Sequence, residues 1–370
     1  MKKSASTLIL FLCSALPFSA FGQGSLTPPG PPAPTMKTLD QVEARTPLNA
    51  TTTPGNDSTE FIITRPGSYY LTANLDVTKT QGIVVEQAGV TIDLNGFEIR
   101  RTSGSGGSGI FIPTFSERCT VKNGSVVGFG VGIDSPGFLF GSPARGGSFS
   151  YLRFSGCSAF GLRAGRASTI ENCEAVGNGG TGIFASIGST IRDCSARENL
   201  GKGIDTAAGC VIQRCAATRN DGGGLETDDG GLVTQSTVRE NSGDGINVGT
   251  GSTVQGCTAT SSAANNIRTA GGCLVLENNS RGASGSGIFT DGTDSRIEAN
   301  TVSASVTGIR VTGTSNLIIK NSAADNSNNY SIVPANKIGT VFTPNNSSAS
   351  GDIGGGLSAG AVDPWANFAF

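Results

Sequence analysis

The chain of 370 residues contains no histidine. That absence removes Ser-His-Asp triads, histidine general bases and the imidazole ligands of most zinc sites. No Cys-x-x-Cys pair is present either, which leaves zinc without its usual ligands. Charge is sparse: charged residues make up 15% of the chain, against about 25% in a typical soluble domain. Basic and acidic residues number 26 and 28, and without Lys2 and Lys3 the balance is 24 against 28, or −4. With no basic cluster, nucleic acid is excluded as an expected partner. No apolar run is long enough for a membrane-spanning helix. Helical 3.6-residue spacing is also missing over any useful length.

What the chain has is glycine, 55 residues of it, and a repeat. Every 21st position from Ile170 is apolar: Ile191, Ile212, Val233, Val254 and Val275, then Ile297 and Ile318 after a one-residue insertion. A second column runs Ile183, Ile204, Leu225, Ile246, Ile267, Ile288 and Ile309. Two residues after the second column come Ala185, Thr206, Thr227, Val248, Thr269, Thr290 and Val311. Such period-2 pairs, rich in β-branched residues, mark strands with one buried face. A fixed period of this length marks a solenoid. The dense leucine pattern of leucine-rich repeats is lacking, so the repeat is expected to wind as a parallel β-helix. Like residues then stack at about 4.8 Å per coil. Gly182, Gly203, Gly224, Gly245, Gly287 and Gly308 form one glycine column, and Gly188, Gly209, Gly230, Gly251 and Gly272 another. Both are expected to serve corners that need positive φ. Asn178, Asn199, Asn220 and Asn241 lie in register and are expected to form a structural amide ladder.

The stretch Gly89-Val90-Thr91-Ile92-Asp93-Leu94-Asn95-Gly96-Phe97, with the repeated Ile-x-Asn-Cys/Asn and Gly-Ile units, resembles the right-handed parallel β-helix repeat proteins of the pectate-lyase-like superfamily. The resemblance covers about Gly67 to Ile332. It implies an all-β, single-stranded right-handed solenoid, and it is unspecific for chemistry, since that superfamily includes lyases, hydrolases, epimerases and proteins without activity.

In chain order, residues 1–22 read as a secretory signal peptide. Lys2 and Lys3 form its positive end, Leu8 to Leu12 its apolar core and Ala20-Phe21-Gly22 its cleavage site. The expected location is therefore secreted, periplasmic or at the cell surface. Residues 23–36 are a Pro-rich linker, with Thr38 to Ala44 as a short capping helix. Residues 37–333 form the solenoid domain of about eleven coils, its irregular coils carrying loops at Ser103 to Gly109 and Ser135 to Gly147. Residues 334–370 read as a C-terminal tail, with Trp365, Phe368 and Phe370 either capping the last coil or forming a sorting signal, the cap being favoured because an open coil needs cover.

Nine cysteines occur, of which eight follow the signal segment. Cys173, Cys194, Cys215 and Cys257 share one inward column, where parallel Cβ vectors suit a disulfide poorly. Cys210 and Cys273 share another but stand three coils apart, about 14 Å. All are expected to be reduced, buried and used as small hydrophobes.

Outward positions between the inward residues of the second column run Phe184, Asp205, Glu226, Asn247, Arg268, Phe289 and Arg310. Asp228 and Asp229 follow Glu226 in the next turn. Paired carboxylates here could serve as acid and base on a glycan or bind Ca²⁺, Arg268 could be a base or hold a uronate, and Phe184 and Phe289 could touch sugar rings. An ordinary solvated strand face is the competing reading. Asp228-Asp229 resembles the paired aspartates of polygalacturonase-like enzymes, but the Gly-His-Gly and Arg-Ile-Lys elements of that family are missing, so its activity is not carried over. Two functions remain open. One is an exported protein that binds or modifies extracellular or cell-wall polysaccharide along its long face through Asp205, Glu226, Asp228, Asp229 and Arg268. The other is a non-catalytic surface or adhesion protein.

Overall fold

The computed structural model describes residues 44–104, 106–113, 116–136, 146–343 and 363–370. The chain divides into Met1–Ala44 and Arg45–Phe370, and all that follows concerns the second unit. The expected signal segment, Pro-rich linker and short helix lie outside the described residues, Ala44 excepted. So do residues 137–145 of the expected loop and 344–362 of the C-terminal tail.

Among the described residues, every regular element is a strand. The strands form a 26-stranded and a 14-stranded sheet, paired in parallel except for the hairpin of Pro54–Asn56 with Thr59–Ile63. A regular coil gives two short strands to the first sheet, as at Thr169–Glu171 and Glu174–Val176, and one to the second, as at Ile183–Ala185. With the hairpin strand set aside, the 14-stranded sheet contains 13 parallel strands, one per coil, so the solenoid has 13 coils and not eleven. The two extra coils lie at the N-terminal end. There the register Phe61, Ile83, Ile110, Ile133, Leu162 steps by 22, 27, 23 and 29 residues, so no 21-residue column runs through it.

The columns read from the sequence are the core. Ile170, Ile191, Ile212, Val233, Val254 and Val275 are all fully buried, as are Ile183, Ile204, Leu225, Ile246 and Ile267. Each such side chain contributes about 1.5–3 kcal/mol relative to leaving it in water.

Each regular coil turns at three corners, and at each the backbone passes through the left-handed region, at Asn172 (φ 52°), Gly177 (60°) and Gly188 (68°) in one coil. The residue after a corner points inward, and at most corners its side chain accepts the backbone N–H of its counterpart one coil earlier. Asn178 donates to Asn199 Oδ1 at 3.0 Å, Cys173 to Cys194 Sγ at 3.4 Å and Ser168 to Ser189 Oγ at 3.1 Å. Each acceptor takes up an N–H that burial would otherwise leave unmatched. This explains why Ser, Cys and Asn interchange in these columns, as where Cys215 donates to Ser236 and Cys257 to Asn278. The asparagine ladder has amide-to-amide bonds of 2.9, 2.9 and 3.0 Å from Asn178 to Asn241. All eight described cysteines are free and buried. They do more than fill space, since Cys194 and Cys210 each accept a corner N–H.

One expectation about glycine is corrected. The Gly188 column has the positive φ expected of it, but the Gly182 column does not. At Gly182 the requirement is room: a Cβ there would sit 2.7 Å from the Gly203 oxygen and 2.8 Å from Asn199 Nδ2. At the C-terminal end, Asn367–Ala369 pairs with Ser322–Ala324 and Val341–Phe342, and Asn367 Oδ1 accepts from Asn321 Nδ2 at 3.1 Å.

Candidate functional site

On the outer face of the 14-stranded sheet the expected column is continuous. Phe184 pairs with Asp205, Asp205 with Glu226, Glu226 with Asn247, Asn247 with Arg268, Arg268 with Phe289 and Phe289 with Arg310. It extends N-terminally through Arg163 to Asp134, a pair joined by two bonds of 2.7 Å.

A groove of about 460 Å³ lies along this column. It is lined by Glu226, Asp228, Asp229, Asn247, Arg268 and Asp291, among others, so four of the five candidate residues meet there and Asp205 stands just beyond it. The groove exists because of side-chain size. Asp228, Gly249, Ala270 and Asp291 occupy the same place in four successive coils, and the two small residues leave a trough between the two aspartates, about 14 Å apart by coil spacing. A Cβ on Gly249 would lie 2.5 Å from Asp229 Oδ1. Asp229 is fixed at that point by accepting the Thr250 N–H at 2.7 Å.

Lys202 and Arg268 are both engaged by carboxylates. Lys202 Nζ is 3.1 Å from Asp205 and 2.9 Å from Glu226. Burial pulls the Lys202 pKa down, but Glu226 and Asp205 outweigh it and leave it raised. Arg268 is 2.9 Å from Asp291 and 3.9 Å from Asp244. Its hydrogen bond to Asp291 raises its pKa, which argues against the role of general base considered for it. Burial pushes the Asp205 carboxyl up further than Lys202 holds it down, and Glu226 and Asp228 add to the rise. Aromatic rings bound the column. Phe289 lies under both Arg268 and Arg310, at 5.7 and 5.2 Å, and Phe184 packs edge-on to Phe160 at 6.2 Å. Lys202, Asp244 and Asp291 were not among the sequence candidates. Asp291 could have been found, because it recurs 63 residues after Asp228, three coils on.

Among the described residues no three acidic or cysteine side chains converge in a way that would hold a metal ion. Among the described residues no helix is long and apolar enough to cross a membrane.

The family model "Right handed beta helix region" matches residues 62–231 and 138–280, together 219 of 370 positions. The chain belongs to the right-handed β-helix family. None of the curated proteins matches this β-helix in sequence. Solved structures share its fold. The A-module of the Azotobacter vinelandii mannuronan C-5 epimerase AlgE4 superposes with a TM-score of 0.53 at 16% identity, covering 74% of this chain and 91% of that one. The AlgE6 A-module of the same organism gives 0.52 at 15%, covering 74% and 89%. The Dettilon tailspike protein gives 0.52 at 14%, covering 75% of this chain and 61% of the tailspike chain.

Proposed function

We propose that this protein is exported and holds an extended polysaccharide along the groove between Phe184 and Arg310. The observation that carries the reading is the trough itself: an open channel of about 460 Å³ running across successive coils, with Glu226, Asp228, Asp229 and Asp291 on its walls. A chain lying across stacked coils meets polar groups at a repeat of about 4.8 Å, which suits a polymer better than a compact ligand. Fold-level similarity to epimerases that act on mannuronan agrees with this reading. If the protein is catalytic, Asp205 is placed to act as the acid, because its proton is held more tightly than usual, with Glu226, Asp228 or Asp229 as the base. Calcium in the groove would be an accessory to such chemistry. One observation favours the second reading, a non-catalytic surface or adhesion protein: Lys202 and Arg268, the cations beside the carboxylates, are spent on internal ion pairs.

The test is product formation. The purified protein is incubated with polyuronides and neutral glycans, with and without Ca²⁺, and assayed for unsaturated ends, new reducing ends and epimerised residues. Activity that disappears in Asp205→Asn or Asp228→Asn supports the enzyme. Glycan binding with no product, weakened by Asp228→Asn, supports the binding protein. Neither activity nor binding on any substrate overturns the groove reading.

A further inference from the structure

We infer that the polysaccharide taken by this groove is an amino-sugar polymer carrying free ammonium groups, and not a polyuronide. The inference rests on the groove reading above and narrows it. Around the trough stand six carboxylates, Asp205, Glu226, Asp228, Asp229, Asp244 and Asp291, against three cations, Lys202, Arg268 and, at its end, Arg310. Six against three leaves −3, more negative than the −2 of the entire chain. A polyanion entering this channel would meet a like-signed field, with a cation not engaged by a carboxylate only at its end, where Arg310 lies over Phe289. Lys202 bridges Asp205 and Glu226, and Arg268 is turned onto Asp291 and Asp244. To hold a uronate, Arg268 would have to leave Asp291 and strand that carboxylate.

The carboxylates are spread along the channel and not focused on a point, as the lack of any three converging on one position shows among the described residues. Asp228 and Asp291 mark places about 14 Å apart on one column, with Glu226 and Asp229 beside the first. A single divalent ion is a poor match for that distribution. A row of ammonium groups on a polymer matches it, since each can donate charge-assisted hydrogen bonds to a separate carboxylate. Phe184 and Phe289 stand five coils and about 24 Å apart at the two ends, the first packed edge-on to Phe160 and the second beneath Arg268 and Arg310.

The experiment is calorimetric binding of four hexasaccharides to the purified protein at low and high salt, without Ca²⁺: fully deacetylated chitohexaose, its N-acetylated form, hexagalacturonate and hexamannuronate. The deacetylated hexamer is expected to bind at least about tenfold tighter than either uronate, to weaken at high salt, and to lose about tenfold in an Asp228→Asn/Asp229→Asn variant. A uronate hexamer that binds as tightly overturns the inference. So does deacetylated binding that the double variant leaves unchanged. The two levels of failure separate: if neutral or uronate binding falls in Phe289→Ala or in the double variant, the groove is a glycan site and only the amino-sugar assignment is lost. If no hexamer responds to either variant, the groove reading fails and this inference with it.

Discussion

The coils from Thr169 to Ile332 and those from Thr59 to Ala164 build the same solenoid by different means. In the first region strands are mostly three residues long, and most corners are held by a Ser, Cys or Asn that accepts an N–H from the coil before. In the second, strands reach eight residues, at Thr120–Val127 and Ser148–Ser155, with the corner absorbed inside the strand as a left-handed residue at Asn123 and Tyr151. The core differs to match. Phe149 and Phe154 pair in register with Ile170 and Ala175, so rings give way to small side chains at the boundary. The Phe154 ring is accommodated because Gly132 and Gly161 face it, each with room for a Cβ only 2.9 Å from a Phe154 atom. One region is held by repeated small increments and the other by a few large apolar anchors. The candidate groove lies in the regular region, where uniform coils bring side chains four coils apart into one line.

The largest expected effect is on an anchor. Phe154→Ala should lower stability by about 3–5 kcal/mol, read from the denaturant midpoint, because the ring is fully buried and its glycine neighbours cannot fill the space. A loss below about 1 kcal/mol would mean that the irregular coils are not anchored by aromatic packing.

Alkaline pH tests both regions at once. Burial pushes Cys157 in the irregular coils and Cys257 in the regular ones up to about 11, from an ordinary value of 9.0. The unfolded chain releases these protons first, so between pH 9 and about 11 it binds fewer protons than the folded chain. Stability is therefore full below about pH 9 and falls as pH rises through that window, by about 2–3 kcal/mol for each thiol. Thermal unfolding across the window should show a shallower decline in both Cys157→Ser and Cys257→Ser. If only one variant flattens the profile, the two cores differ in how dry they are.

The corner ladder should yield smaller steps, ordered by chemistry. Asn220→Ala removes the acceptor for the Asn199 N–H and amide, at 3.1 and 2.9 Å, and should lower stability by about 1–3 kcal/mol. Asn220→Ser should lower it less, since Ser236 already accepts such an N–H from Cys215 at 3.1 Å. Equal losses in the two variants, measured by chemical denaturation, would show that side-chain volume and not N–H satisfaction governs the corners.

Legibility follows the same division. In the regular region each apolar column, the asparagine ladder and the outward line from Phe184 to Arg310 are readable, because a period of 21 makes every coil a copy of its neighbour. The irregular region hid the two N-terminal coils, those of Phe61 and Ile83, because no 21-residue column reaches them while their strands still pair. Within the groove, parity along strands brings out Glu226 and Arg268, and the adjoining turn contributes Asp228 and Asp229. Asp291 and Asp244 lie in turns, where no alternation flags them. The Gly182 column shows the other limit: its recurrence is plain, yet whether a glycine is there for φ or for space depends on the neighbouring coil, which only the fold brings near.

The smallest stability effect is expected at the groove, and that is its diagnostic value. Asp228 is exposed, and it faces a trough instead of a packed neighbour. Asp228→Ala should therefore change stability by less than about 0.5 kcal/mol, as surface substitutions do. Asn220, eight residues earlier in the same coil, should show several times that loss. A residue that contributes nothing to the fold, placed in line with other carboxylates by a scaffold that is otherwise repetitive, has its explanation in what it meets from outside. Should Asp228→Ala instead destabilise the chain as much as Asn220→Ala, measured side by side in denaturant, the carboxylate would belong to the scaffold, and the groove would lose its main wall as a binding feature.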